Sequence, residues 1–455
     1  MSAISGIFYR DGRSVKFEEI NNLNDSMSHR GPDKSSIWID QSVALGHQMM
    51  CTTEESLHEK LPFYDEKSGL VITADARLDN RLELADLLNI KDSKNLSDSY
   101  YILKSYEKWG ENCPKYLLGD FVFVVYDKYN ETIFCARDPM GIKVFYYYLS
   151  LEKFIFATEI KAILNTKSIP LELNEERIAF YLMDINDNKS TFYKDIHVFS
   201  PATSFTIDKN KIKKEIYWKL DPKFSIILDS EDEYIAQFRE LFYQAVECRL
   251  RSIRPIGFEL SGGLDSSSVV CMSKKILNKN SNFHTNLETF SCIFPNFPGC
   301  DESEYIKKVV EMGGINSNLV NGDQINPLEN ISEILFIQEQ PFFTPFMNML
   351  WKMYNRMRLN NVGVMLCGVG GDAVVSYGNK LFIDLIRENQ WKNIFQELKL
   401  YSQQINKSTS EIFLQNIIYP YVPESVKKRF RKKDVKPNSS ILDSYYAKKL
   451  MQRNI

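Results

Sequence analysis

The chain has 455 residues, 44% of them apolar and 25% charged, with a formal net charge of −3. Its length suits roughly two to three domains, and its charge gives no broad reason to bind nucleic acid or an anionic membrane. No stretch approaches the roughly 20 apolar residues of a membrane span, and the start MSAISGIFYRDGR lacks the form of a signal peptide.

Residues 1–215 carry short apolar runs broken by turn signals: SSIWID, GLVITADA, GDFVFVVYDKYNETIFCARD and KVFYYYLSLEKFIFATE. They predict an α+β domain of stacked antiparallel sheets. Within it, VFVVYDKYNETIFCA reads as a hairpin turning near Asp127–Asn130. The polar stretch 216–232, which contains Pro222, reads as a linker.

Residues 233–455 change texture. EYIAQFRELFYQAVECRL has helical spacing, IGFEL reads as a buried strand and SSSVVCMSKKIL as a helix. LETFSCIF is a second strand, ESEYIKKVVEMGG a helix and VGVMLCG a third strand. This alternation predicts an α/β domain with a parallel sheet. Further on, the basic run KKRFRKKDVK (Lys427–Lys436) reads as a solvated face or linker. Eight cysteines without CxxC spacing and five isolated histidines suit the reduced interior of a cytoplasmic protein, not a disulfide framework or zinc site.

The chemistry concentrates in FELSGGLDSSSVVC (Phe258–Cys271). A loop after a strand and before a helix lies at the carboxyl end of a parallel sheet, where ligands bind. Gly262 and Gly263 let the backbone approach an anion, and the helix start behind them supplies N–H groups and the positive end of a dipole. Ser261, Ser266 and Ser267 add hydroxyls. A carboxylate beside phosphates is repulsive unless a cation intervenes, so Asp265 points to Mg²⁺. No lysine follows the glycines, which excludes the P-loop pattern. A second loop, LCGVGGDAVVSYG (Leu366–Gly378), repeats the glycines and adds Asp372 as a second carboxylate for the same ion.

SGGLDSS resembles the pyrophosphate loop of the ATP-pyrophosphatases. With both loops in place, the whole chain resembles the asparagine synthetase family: HRGPD (His29–Asp33), SDSYYILKSYEKWGENC (Ser97–Cys113), GDFVFVVYD (Gly119–Asp127), ARDPMGIKVFYY (Ala136–Tyr147) and TEIKAIL (Thr158–Leu164) fall in the family's order. The resemblance implies an Ntn-hydrolase-like αββα glutaminase domain ahead of an adenylating domain. It also implies ATP and Mg²⁺, with ATP held by Leu260, Ser261, Gly262, Gly263, Leu264, Asp265, Ser266, Ser267, Ser291, Cys292, Cys367, Gly368, Gly370 and Gly371, and the metal by Asp265 and Asp372.

Four departures qualify that implication. Ser2 stands where glutamine-hydrolysing members have a cysteine nucleophile, and a serine hydroxyl is far weaker at neutral pH. Asp75-Ala76-Arg77 replaces the segment that binds glutamine and its oxyanion, and a carboxylate cannot donate to an oxyanion. The N-terminal domain is therefore expected to be an inactive glutaminase, although Asp98 and Arg30 persist. In the second loop, Val369 and Ala373 occupy positions where the synthetases carry glutamates. Finally, the family's catalytic lysine matches none of Lys427, Lys428, Lys432, Lys433, Lys448 or Lys449, and the chain is expected to be C-terminally truncated.

An adenylating enzyme without an ammonia supply must use an amine already on its substrate. TTEESLHEKLPFYDEKSGLVITADARLDNRLELADLL (Thr52–Leu88), MSAISGI and FPGCDESEY (Phe297–Tyr305) resemble the lasso-peptide cyclases. That resemblance implies a precursor peptide as substrate, with a leader-recognition protein and a leader peptidase as companions. Asparagine synthesis from ammonia or glutamine, and a nucleotide- or peptide-binding pseudoenzyme, are the alternatives.

Overall fold

Alternating apolar runs in the first half become twelve strands among the described residues. The computed structural model describes residues 2–91, 95–185, 187, 189–279, 287–342, 346–375, 381–405, 407–419 and 422–423. The strands are β1 (Ala3–Tyr9), β2 (Lys34–Asp40), β3 (Val43–Met49), β4 (Phe63–Asp65), β5 (Leu70–Leu78), β6 (Gly119–Asp127), β7 (Thr132–Arg137), β8 (Tyr146–Leu149), β9 (Lys153–Ala157), β10 (His197–Val198), β11 (Thr203–Ile207) and β12 (Ile212–Ile216). They form two six-stranded sheets, in the orders β10-β8-β9-β1-β3-β2 and β12-β11-β7-β6-β5-β4. The pairings are antiparallel, as in β1 with β3 and β5 with β6.

Residues facing between the sheets, among them Phe8, Leu45, Val122, Val124 and Phe156, make one core. The outer face of the second sheet packs Phe121, Phe123 and Val125 on Tyr101 and Ile102 of the helix Asp98–Trp109. The outer face of the first packs Ile7 and Ile155 on Ile20 and Leu23 of the helix Phe17–Asp25. The result is the expected helix–sheet–sheet–helix stack. It explains why β6 reads FVFVVY without alternation: both of its faces are covered. The β6–β7 hairpin turns where expected, with Asp127 Oδ1 accepting from the Tyr129 and Asn130 N–H groups, both at 2.9 Å.

The polar linker stretch begins inside this core. Tyr217 is buried and donates to the Arg137 carbonyl at 2.6 Å. Beyond it comes the helix Glu231–Arg249, capped by Ser230 Oγ accepting from the Glu233 N–H. Its apolar stripe is largely exposed; Val246 is its one buried residue.

The second half builds the expected parallel sheet from β13 (Ile256–Glu259), β14 (Leu287–Ile293), β15 (Ile315–Asn321) and β16 (Val364–Leu366), in the order β15-β14-β13-β16. The helices Leu264–Lys279, Ser303–Val310 and Met347–Leu359 follow β13, β14 and β15 respectively. Phe258, Leu260, Val270 and Ile306 pack on one face, and Phe290, Met353 and Met357 on the other.

The chain divides into two compact units, 1–181 with 186–367, and 182–185 with 368–455. Among the described residues, all the strands lie in the first. The second contains the helices Leu381–Arg387, Trp391–Ile405 and Thr409–Phe413, packed through Phe382, Leu385, Ile394, Leu398 and Ile412. All eight cysteines are free thiols. No helix of the described residues is long and apolar enough to cross a membrane.

Buried polar contacts join the two N-terminal sheets at Thr73: His47 Nδ1 lies 3.2 Å from Thr73 Oγ1, which also donates to the Gly46 carbonyl at 3.3 Å. Burial pushes the His47 imidazole from 6.5 down to about 4, with the Asp75 carboxylate opposing only part of the shift. The unfolded chain therefore takes up this proton at higher pH than the folded one. Stability is intact with respect to His47 above about pH 6.5 and falls as the pH drops towards 4, by up to about 1.4 kcal/mol per pH unit. His47→Gln is expected to flatten that slope in urea unfolding between pH 6.5 and 4. An unchanged slope would contradict the assignment.

Candidate functional site

β13 lies inside the sheet, with β14 on one side and β16 on the other, so the chain's connections diverge at the carboxyl ends of β13 and β16. Such a switch point opens a crevice for ligands. The loop from Ser261 to Gly263 leaves β13 there and enters the helix at Leu264. Gly262 has φ +95°, and a Cβ on it would sit 3.0 Å from the Glu302 carbonyl oxygen. Glycine is thus required twice over, by backbone conformation and by close approach.

Side-chain hydrogen bonds hold the loop's shape. Ser266 Oγ is buried, accepts from the Ser261 N–H at 3.1 Å and lies 3.0 Å from Ser261 Oγ. Ser261 Oγ also accepts from the Gly263 N–H at 3.3 Å. Ser266 is therefore a brace of the loop, while Ser261 stays exposed and Ser267 half-buried. Leu264 is 86% exposed at the head of the helix. Asp265, in the first turn, has no hydrogen-bond or ion-pair partner among the described residues. An unpaired carboxylate oxygen beside an anion cradle suits a hard cation such as Mg²⁺, which usually takes only one or two protein carboxylates. Among the described residues no group of three or more His, Cys, Asp or Glu is placed to hold a metal.

Leu260, Ser261, Ser291 and Cys292 line one cavity of about 130 Å³ at the carboxyl ends of β13 and β14. The structure thus brings together four residues expected to bind ATP. It adds Glu259, Cys300, Glu302 and Met353, which sequence reasoning missed. Burial pushes the Cys292 thiol up to about 11, with the Glu259 carboxylate adding to the shift. Cys367 follows β16 and ends the first unit. Gly368, Gly370, Gly371 and Asp372 open the second unit with a turn of their own. There Gly371 N donates to Gly368 O at 3.1 Å, and Gly370 has φ +94°. Asp372 is exposed in the first turn of the short helix Gly371–Val375. The run Lys427–Lys436 and the lysines 448 and 449 lie outside the described residues.

In the N-terminal domain, Ser2 is 7% exposed and its Oγ accepts from the Met50 N–H at 3.0 Å. Asp75 is tied to Lys143 Nζ at 2.8 Å, both side chains being buried. The Arg30 Nε donates to Glu159 Oε1, and His29 Nε2 lies 3.0 Å from the same oxygen. One Arg77 nitrogen donates to the carbonyls of Cys248 and Arg251, each at 2.9 Å.

An αββα domain followed by a parallel sheet with a glycine-turned anion loop defines a glutaminase-like domain joined to an adenylating-type domain. Residues 1–218 match the glutamine amidotransferase domain family, and residues 237–450 match asparagine synthase. The chain is 32% identical over 415 residues to a putative glutamine-hydrolysing asparagine synthetase of Methanocaldococcus jannaschii, covering 85% of this chain and 78% of that protein. It is 28% identical to amidase chry2 of Gibberella zeae, over 81% of this chain and 56% of that one. It is 27% identical to asparagine synthetase 3 of Bacillus subtilis, over 71% and 54%. The chain thus spans just over half the length of the last two relatives. It belongs to the asparagine synthetase family, a family of ATP-dependent amide ligases that form AMP and pyrophosphate.

Asp98, kept from the family pattern, serves the join between the two sheet systems. Its carboxylate accepts from the Leu78 N–H at 3.0 Å, from Arg81, and from Arg251 at 3.1 Å. Arg249 pairs with Asp79 at 2.8 Å and with Asp120, and Ile253 N donates to Thr52 O at 2.9 Å. Asp98→Asn keeps an acceptor for Leu78 but removes the charge facing two guanidiniums. The side chains of Arg81 and Arg251 remain 15% and 29% exposed, so solvent compensates in part. The expected loss in urea unfolding is about 2 kcal/mol, and a loss below about 0.5 kcal/mol would show that the carboxylate is not holding the join.

Proposed function

We propose that this chain joins a carboxyl group to an amine at the expense of ATP, through an acyl-adenylate, and that the bond it makes closes a macrolactam in a lasso-type precursor peptide. The observation that carries the reading is the engagement of the would-be glutamine pocket. Asp98 is held by Arg81 and Arg251, Arg77 reaches the backbone of Cys248 and Arg251, and Asp75 is paired with Lys143. A protein whose glutamine-binding positions are committed to its own structure has no evident ammonia source. The amine then comes with the substrate.

In this reading the triphosphate lies on the loop Ser261–Ser267. The backbone at Gly262–Gly263 and the head of the helix Leu264–Lys279 oppose its charge. A Mg²⁺ held at Asp265, with Asp372 as the sequence-based second carboxylate, would neutralise further phosphate charge. An Asp or Glu side chain of the peptide attacks the α-phosphorus, and pyrophosphate leaves. The peptide's own amino group then attacks the acyl carbon; AMP leaves and the amine gives up a proton. Both reacting groups share one chain, so the protein's work is positioning and charge stabilisation.

The relatives named as glutamine-hydrolysing asparagine synthetases favour a second reading, asparagine synthesis. Ser2 and the Asp75–Lys143 pair oppose its glutamine-dependent form.

The chain, incubated with ATP, Mg²⁺ and a peptide bearing an acidic side chain several residues from its amino terminus, is expected to form a product lighter by one water. Mass spectrometry reads the outcome, and ATP-dependent conversion of aspartate to asparagine without peptide closure would favour the second reading. Asp265→Asn should lower pyrophosphate release about 100-fold or more, as for a group that stabilises transition-state charge. Ser2→Ala should leave that release unchanged. Glutamate release from glutamine at a rate matching ATP turnover would overturn the inactive-glutaminase assignment.

A further inference from the structure

The cavity beside the pyrophosphate loop holds a polar group that the chemistry above does not use. Glu259 is the last residue of β13 and is half-buried. Its neighbours Phe258 and Leu260 pack towards Val270 and Ile306, so strand alternation sends Glu259 to the opposite face, the side of Phe290 and Met353. Among the described residues its carboxylate has no hydrogen-bond or ion-pair partner, and burial holds it above the usual carboxylate range. Ser291, within β14, is 1% exposed, and its Oγ is sealed from the cavity with no hydrogen-bond partner among the described residues. Both residues line the cavity of about 130 Å³, whose other walls include Phe290 and Met353.

Ser261, the first residue of the phosphate loop, also lines this cavity. A nucleotide with its phosphates on that loop therefore has this space within reach of its base. The mixed wall, with Phe290, Leu350 and Met353 among its apolar members, can take the face of a flat aromatic ring while polar groups meet its edge. The unpaired Glu259 carboxylate sets which ring, because it accepts a hydrogen bond and cannot donate one when ionised. Adenine carries an exocyclic amine donor next to a ring-nitrogen acceptor. Hypoxanthine and guanine present a carbonyl oxygen in place of that amine, and it would face the carboxylate.

We propose that Glu259 is the base-selecting residue of this site: its carboxylate accepts from the exocyclic amine of adenine. The assignment rests on the reading that ATP is the nucleotide. It adds a side chain that recognises the base, where the loop recognises only phosphate. A base lacking the amine leaves a half-buried carboxylate unpaired, and a site built around such a hydrogen bond rejects ligands that cannot make it.

The test compares the affinity of the full chain, with Mg²⁺, for ATP, ITP and purine riboside triphosphate; the last differs from ATP only by loss of the amine. Wild-type protein is expected to bind both analogues about tenfold or more weakly than ATP. Glu259→Leu should bind all three alike, within about twofold, with ATP brought down towards the analogues. Equal wild-type affinity for ATP and purine riboside triphosphate overturns the inference and leaves the ATP reading standing. Binding of none of the three overturns the ATP reading itself, and the inference with it. A Glu259→Leu protein that keeps the full preference for ATP while losing peptide-dependent turnover also overturns the inference, because Glu259 would then serve the acyl acceptor. The wild-type comparison decides the matter even if the variant fails to fold.

Discussion

The Asp98 carboxylate takes hydrogen bonds from Leu78, Arg81 and Arg251 at once, and the geometry of the phosphate loop descends from that contact. Residues 252–255 alone separate Arg251 from the first residue of β13. Within them, Ile253 N is held by Thr52 O, and Arg254 reaches Asp33 at 3.1 Å. The start of β13 is thus fixed against the N-terminal sheets, and its length then places Ser261. Glu55 adds a second carboxylate, 3.4 Å from both Arg81 and Arg251. A seam made of charges has to be satisfied at each member, because one partner removed leaves the other partly desolvated. Asp98 and Arg77 thus both bond across the join: Asp98 to Leu78, Arg81 and Arg251, and Arg77 to the carbonyls of Cys248 and Arg251.

Most of the architecture was legible because most of its burial obeys a simple period. Strand–helix alternation from Ile256 onward gave three of the four parallel strands, and the hairpin read in VFVVYDKYNETIFCA is the β6–β7 pair. β15 was not read, because INSNLVN has no apolar alternation. It is an edge strand, and side chains support it by another means: Asn316 and Asn318 both donate to Glu288 of β14, at 2.6 and 2.9 Å. The helix Glu231–Arg249 was read from apolar spacing, yet Ile235, Phe238 and Leu241 are each about half exposed. Spacing reports that a face could be buried, not what covers it. Tyr217 failed in the other direction. One aromatic in a polar stretch looked like linker and is core, because its hydroxyl finds the Arg137 carbonyl.

The site divided along the same line. SGGLDSS could be read because backbone requirements write themselves into sequence as glycine at fixed offsets, and Gly262 meets them. The Asp75–Lys143 pair could not, since its members are 68 residues apart and only the fold joins them. Glu259 was hidden for a subtler reason. A single polar residue in a short buried strand reads as an imperfection of the pattern. In the structure it is the one position of β13 whose side chain reaches the cavity wall from the face opposite Phe258.

In the proposed reading, the loop Ser261–Ser267 and the cavity beside it would divide recognition of a nucleotide between backbone and side chains. On the loop, Ser266 is saturated by Ser261 and Gly263, so its hydroxyl fixes shape, and the anion is left to backbone N–H groups and the helix dipole. Backbone donors do not distinguish one nucleotide from another, since every triphosphate presents the same oxygens. Discrimination has to come from groups beyond the phosphates. There the wall mixes apolar and polar groups, among them the Glu259 carboxylate, which lacks a partner among the described residues. An unpaired buried hydroxyl and a half-desolvated carboxylate both weaken a fold that gains nothing from them. For the carboxylate, a place within reach of the loop is physically reasonable if a ligand supplies the missing hydrogen bond, so that the free energy withheld from folding returns as specificity on binding.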